Sequence, residues 1–279
     1  MKNAKSLVKA LVVALALFVA PGAAFSQSGD TFERILRDKK IKFGYIVSPP
    51  SAIRDPASGA VSGFYIDAAR ALAELMQVEA EFVETSWANF ASALQAGQFD
   101  ISIAATFATI PRAMAVSFTN PINYQSFSGV ARRGDQRFKK MADLNKAEVK
   151  VAVVQGSAGH EFARQNLKLA NIIALGTSNL QQPFLEVSAG RADVAIQDES
   201  QVRRYVPTHK EVVPLFGGTA FNTLPLAWAV RRGDQALLGF LNTSITYMMT
   251  SGRWDEIAAK YGPTGRYKDA PQLVPFGTF

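Results

Sequence analysis

A chain of 279 residues without a cysteine carries no disulfide, no thiolate metal site and no cysteine nucleophile. Its formal charge of +7 includes three lysines and no acid in the first 26 residues, so the rest is near +4, seven less three. Basic residues are scattered, as in Arg132-Arg133 and Arg203-Arg204, without interleaved aromatics, whereas a nucleic-acid groove needs a concentrated basic stripe; no nucleic-acid partner is expected.

The N-terminus reads as an export signal over residues 1–26. Lys2, Lys5 and Lys9 precede an apolar run over 10–20, and Pro21-Gly22-Ala23-Ala24-Phe25-Ser26 supplies small residues near a cleavage point. The run is short for a bilayer-spanning anchor, the alternative reading. With no cysteine for an acyl anchor, a freely soluble exported protein is expected. The remaining chain of about 250 residues is long enough for one large domain or two lobes.

A strand is predicted over 41–46, broken by Pro49-Pro50-Ser51, and Asp55-Pro56-Ala57-Ser58-Gly59 has turn chemistry. A helix over 66–77 presents Ile66, Ala69, Leu72, Leu75 and Met76 as a core stripe. Strand 78–83, a helix over 87–96 capped by Ser86 and stopped by Gly97, and strand 99–104 complete a β-α-β-α-β run with parallel strands. After Asn120-Pro121 the pattern restarts. Strand 127–131, a short helix at 141–144, strand 149–154, helix 160–166, strand 172–175, helix 180–188 and a strand ending at Asp198 form a second α/β unit. A strand over 225–230 leads to helices over 236–250 and 254–261.

Few residues suggest chemistry. Arg112 and Asp198 each follow a strand, where ligands of open α/β sheets bind. A guanidinium and a carboxylate on facing walls would match a zwitterion; the bland readings are a surface arginine and a helix cap or solvated loop acid. Gly156-Ser157-Ala158-Gly159 joins a strand to a helix and reads equally as an anion-binding turn or a plain connection. Trp87 is either an aromatic floor or core, while Trp228 and Trp254 are expected in the core. Catalysis has little support. His160 and His209 have no neighbours with metal-ligand spacing, no Gly-x-Ser-x-Gly elbow exists, and Asp198-Glu199 on an extended segment would point to opposite faces. No cofactor, metal or catalytic residue is expected.

The ordered set of motifs from about residue 33 to 262 resembles the extracellular solute-binding proteins of polar amino-acid ABC importers. Gly63-Phe64-Tyr65-Ile66-Asp67 is similar to the family's Gly-Phe-Asp-Val-Asp, and Trp87 with Ala93-Leu94-Gln95-Ala96-Gly97-Gln98-Phe99-Asp100 to its Trp…Ala-Leu-Gln-x-Gly-x-Phe-Asp. Arg112 with Val116-Ser117-Phe118-Thr119, the loop Gln155-Gly156-Ser157-Ala158-Gly159, the run Gln197-Asp198-Glu199 and the terminal Gly252, Trp254 and Lys260-Tyr261-Gly262 also fit.

The resemblance implies an α/β, two-lobed type 2 periplasmic-binding fold that closes on its ligand about a two-crossing hinge. Lobe 1 would span 30–124 and 227–279, and lobe 2 would span 125–226. Arg112 would grip a ligand carboxylate with help from Ser157 and the Ala158 amide. Asp198 would take the ammonium and Trp87 would stack. Ala105 would offer backbone and Phe107 its N–H. The partners implied are a small amino-acid-like ligand and a membrane permease, with the binding protein a monomer. Departures from the pattern sit at Ser48, Ser51, Tyr65, Phe107 and Ala158. Phe107 would narrow the pocket, and the acid expected after Gly44 is missing, which disfavours lysine or arginine as ligand. An exported enzyme on the same fold, such as a cyclohexadienyl dehydratase-like lyase, is the alternative.

Overall fold

The computed structural model describes residues 31–261; the expected export signal, Gly262 and the rest of the C-terminal segment lie outside them. A short helix α1 (Thr31–Asp38) precedes β1 (Lys40–Tyr45). The hairpin β2 (Ile53–Arg54) and β3 (Val61–Ser62) follows, its turn built by Asp55 accepting from the Ala57 and Ser58 N–H groups. Then come α2 (Phe64–Met76), β4 (Glu79–Glu84), α3 (Phe90–Gln95) and β5 (Ile101–Phe107). β1 pairs in parallel with β4 on one side and β5 on the other.

The short α4 (Ile110–Ala113) and β6 (Val116–Phe118) lead into β7 (Asn123–Arg132). The second unit is β8 (Lys150–Val154), α5 (Ala158–Asn166), β9 (Asn171–Leu175), α6 (Gln182–Ser188), β10 (Val194–Asp198) and α7 (Glu199–Tyr205), with β8 parallel to both β9 and β10. β11 (Val212–Pro214) edges β7, and β12 (Phe221–Arg231) returns the chain to α8 (Gln235–Thr250) and α9 (Arg253–Ala259).

Along the main path the strands lie β4-β1-β5-β12-β7-β10-β8-β9. The two parallel halves are therefore joined by an antiparallel centre in which β12 pairs with β5 and β7, and β7 pairs with β10. β7 and β12 are both longer than the apolar runs at 127–131 and 225–230 suggested. Their polar ends, such as the half-buried Gln125 and Ser126 and the exposed Thr223, run between the halves, where hydrophobic patterning gives no signal.

Three local expectations are corrected. The core face of α2 runs through Ile66, Ala69, Leu72 and Ala73; a 3.6-residue period leaves Leu75 on the helix edge, 56% exposed. The helix after Trp87 begins only at Phe90, because the Ser86 carbonyl accepts from the N–H groups of Asn89 and Phe90 and turns the chain first. Asp198 and Glu199 do not share an extended segment: Asp198 is the N-cap residue of α7, and Glu199 opens the helix.

The first half is completed from the far end of the chain. α9 packs on α2, with Trp254 edge-on to Phe64 at 5.1 Å and 6.2 Å from Trp228, and both tryptophans are buried as expected. α8 buries Leu237, Leu241, Ile245 and Met248, one stripe at helical spacing.

Both halves use the same device to start a central strand. The Asp100 N–H donates to the Lys42 carbonyl, its carboxylate accepts from the Lys42 N–H at 2.9 Å, and Arg34 pairs with its other oxygen. In the second half the Asp193 N–H donates to the Lys150 carbonyl, its carboxylate accepts from the Lys150 N–H at 2.9 Å, and Arg137 lies 2.7 Å from its other oxygen. Burial pulls the Asp193 pKa up, but its bonds to Lys150 and Arg137 outweigh this and leave it lowered. A lowered carboxylate pKa adds stability above its unfolded value of about 4, which is lost as pH falls through the folded value. Asp193→Asn should therefore cost on the order of 1 kcal/mol at pH 7, discounted for the exposed Arg137. Urea titrations should show the gap to the parent closing below about pH 4; a gap unchanged between pH 7 and pH 3 would contradict this account.

Candidate functional site

A cleft of about 1080 Å³ opens between the two halves. Its walls include Ser48 after β1, Trp87 after β4, Ala104 within β5, Leu180 after β9 and Asp198 at the end of β10. These positions lie at or near the carboxyl ends of strands, where parallel sheets leave a crevice. The central strands contribute Asn123, Gln125 and Thr223, and Ser48 and Ser51 line the same space. The polar ends of β7 and β12 thus find their solvent-facing role in the cleft.

Asp198 is the electrostatic focus of this wall. Burial pushes its carboxyl up to about 6, against the opposing pull of Arg112 and Arg204. The residue keeps partial contact with the cleft, so the desolvation is that of a recessed wall. No hydrogen bond from a described residue satisfies it, although α7 starts at its shoulder. An under-compensated carboxylate in a cleft favours a cation brought to it from outside.

Arg112 is buried at the seam between the halves and is not among the residues that line the cleft. Pro111 starts α4 and delivers Arg112 into the seam, where the guanidinium carbon sits 5.5 Å from the Phe90 ring centre. Its Nη1 donates to the Phe107 carbonyl at 3.2 Å and its Nη2 to the Gly156 carbonyl in the other half at 2.9 Å. Its Nε lies 3.6 Å from the Glu161 carboxylate, also in the other half. Burial, partly offset by Glu161 and Asp198, pulls its pKa down to about 10, so it stays protonated at neutral pH.

The halves touch closely here. A Cβ on Gly156 would lie 2.6 Å from the Ala88 Cα, and Gly156 has a φ of +74°, so glycine is required twice over. Gly156 also donates its N–H to His160 Nδ1 at 3.2 Å. That makes His160 a prop for the turn, and its pKa is lowered by burial and by Arg164 against Glu161. His209 stacks on Tyr205 with centroids 3.6 Å apart, likewise a structural role.

The other expected residues divide. Trp87 is half-buried and lines the cleft, and its buried indole N–H has no hydrogen-bond partner among the described residues. Ser157 caps α5 by accepting from the His160 N–H, and Ser157 and Ala158 are buried beside the seam. Ala105 lies within β5. Phe107 does not narrow the cleft: its ring packs on Phe127 at 4.9 Å in the core, because the end of β5 faces the other half. Glu161 and Thr109 escaped the sequence reading; their signal was an acid in the first turn after the Gly-Ser loop and a hydroxyl just before Pro111. Among the described residues no cluster of His, Asp or Glu fits a metal ion, and no helix is long and apolar enough to cross a membrane.

Comparison with known proteins agrees with this architecture. The L-arginine-binding protein of Pseudomonas aeruginosa is 26% identical over 231 residues, 80% of this chain and 88% of that protein. The ABC transporter glutamine-binding protein GlnH of Bacillus subtilis is 26% identical over 236 residues, 83% of this chain and 84% of that one. Among solved structures, an ancestral amino acid-binding protein, a precursor of cyclohexadienyl dehydratase, is 31% identical with a TM-score of 0.73, covering 83% of this chain and 99% of its own. The family model for bacterial extracellular solute-binding proteins, family 3, matches residues 41–264, and this chain belongs to that family.

Proposed function

We propose that the protein is the periplasmic binding component of an amino-acid ABC importer, that it works as a monomer, and that it delivers a small zwitterion to a membrane permease. The observation that carries this reading is Asp198, a carboxylate with no counter-ion in contact among the described residues, set in the wall of a cleft between two halves. Asp198 takes the ligand ammonium and Arg112 its carboxylate, with Ser157 and the N-terminus of α5 beside it. Trp87 offers its ring, and Ala105 and Phe107 lend backbone at the end of β5. The lobes, 30–124 with 227–279 and 125–226, rotate about the β7 and β12 crossings, and ligand contacts made to both favour closure.

The side chain of the ligand is neutral. Asp198 and Glu199 are the acids among the lining residues, and Glu199 lies 3.4 Å from Arg203. Once Asp198 has taken the ammonium, no free acid remains for a cationic side chain. The same pairing argues against a lyase on this frame, despite the likeness to a dehydratase precursor. A second cleft carboxylate would have to work beside Asp198, and Glu199 is engaged. Incubation with prephenate or arogenate should give no product; turnover would reverse this assignment.

Arg112→Ala should weaken binding of L-amino acids at least about 100-fold, since a charge-assisted bidentate pair is lost. Isothermal calorimetry would read this, with circular dichroism confirming the fold; unchanged affinity would remove Arg112 from the grip.

Asp198→Asn should separate stability from binding. A carboxyl raised to about 6 in the folded protein, against about 4 unfolded, makes stability fall as pH rises between those values. The Asn variant should therefore be more stable than the parent above pH 6, on the order of 1 kcal/mol, and no more stable at pH 4. Its affinity for amine-bearing ligands should fall, and the parent's own affinity should decline below about pH 6 as the desolvated Asp198 carboxyl protonates. Thermal melts and calorimetry at pH 5 and pH 7.5 test both; equal losses for deaminated ligand analogues would rule out the ammonium role.

A further inference from the structure

Arg112 and Thr109 belong to one half, and Glu161 reaches them from the first turn of α5 in the other. The Glu161 carboxylate accepts from the Thr109 hydroxyl, with both oxygens 3.0–3.1 Å away, and lies 3.6 Å from Arg112 Nε. Each of the three guanidinium nitrogens already faces an oxygen: Phe107 O, Gly156 O or Glu161. A guanidinium and a hydroxyl are the donors an α-carboxylate seeks. Here a carboxylate of the protein itself holds them.

We propose that Glu161 is an internal competitor for the carboxylate site, so that a ligand carboxylate binds by displacing Glu161 from Arg112 and Thr109. The proposal rests on the reading of Arg112 as the ligand's carboxylate grip.

An acid near a helix N-terminus is ordinary, since it complements the helix dipole. That accounts for the presence of Glu161 on α5 but not for its bonds across the seam. Nor is this a surface pair of negligible weight: the Arg112 and Glu161 side chains are only 8% and 20% exposed. The occupied guanidinium also explains why Arg112 does not line the cleft. A competitor of this kind lowers apparent affinity by the fraction of molecules whose site is free. It also makes a selective filter. A ligand with a carboxylate repels Glu161 and replaces it, whereas an amine without one leaves Arg112 where it is and gains nothing from Glu161's departure.

The test uses the full mature chain, the parent, Glu161→Gln, Glu161→Ala and Arg112→Ala, with the twenty standard L-amino acids as probes in calorimetry. The best-bound amino acid is then repeated as its decarboxylated amine. Glu161→Gln and Glu161→Ala should tighten the amino acid roughly tenfold and leave the amine unchanged. Melting curves by circular dichroism show whether each variant is folded, and either Glu161 variant suffices. Unchanged affinity would overturn the proposal, and weaker binding would overturn it in favour of a latch that holds the halves together. Equal tightening of amino acid and amine would overturn it too, since the competition would not be for the carboxylate. If Arg112→Ala binds amino acids as the parent does, or no amino acid binds the parent, the grip reading fails first and the competitor falls with it.

Discussion

Everything in this molecule hangs on one ladder, the antiparallel pairing of β7 with β12. These strands carry the chain out of the first half and back into it, and they lie side by side at the centre of the sheet. Backbone bonds between them fix the spacing of the halves, while the register shift between Phe221 and Leu224 interrupts the ladder where the strands pass the cleft. A shift of this kind bends a strand and leaves backbone unpaired. The polar residues at these strand ends are therefore those that the geometry places along the cleft.

Around that ladder the charges form one coupled set. Arg112 is buried and needs anions; Asp198 is recessed and needs cations. They stabilise one another only at a distance, so neither is satisfied by the other. Glu161 supplies Arg112 with a nearby carboxylate, and Asp198 receives no equivalent from the described residues. The asymmetry matters physically. A buried charge without a partner costs free energy that an incoming ion of opposite sign recovers. On the proposed grips the two ends of a zwitterion would thus meet different conditions: Asp198 is under-compensated, whereas Arg112 already faces Glu161.

The sequence carried the parallel units well, because strands such as β8 and β10 hold near-continuous apolar runs and α2 shows its 3.6-residue stripe. Asp198, Trp87 and the Gly156 turn were legible for the same reason: they sit where those runs end. What escaped was set by contacts between segments far apart in the chain. Phe107 belongs to a strand end that meets Phe127 in the other half, so its ring became core rather than pocket wall. The path of Glu161 to Thr109 spans 52 residues and leaves no local trace. The start of α7 at Glu199 was hidden because Asp198 ends a strand and caps a helix at once. The repeated clasp of Asp100 and Asp193 on Lys42 and Lys150 was visible only as two Asp-apolar dipeptides until the strands were seen in register.

The docking of Trp254 on Phe64 has a consequence for the order of events during synthesis. The second half is built from one continuous stretch and can assemble as soon as that stretch exists. The first half cannot, since its packing partner Trp254 is made after the whole of the second half, and closing so long a loop is entropically slow. The first half, although it begins earlier in the chain, is thus the one completed last.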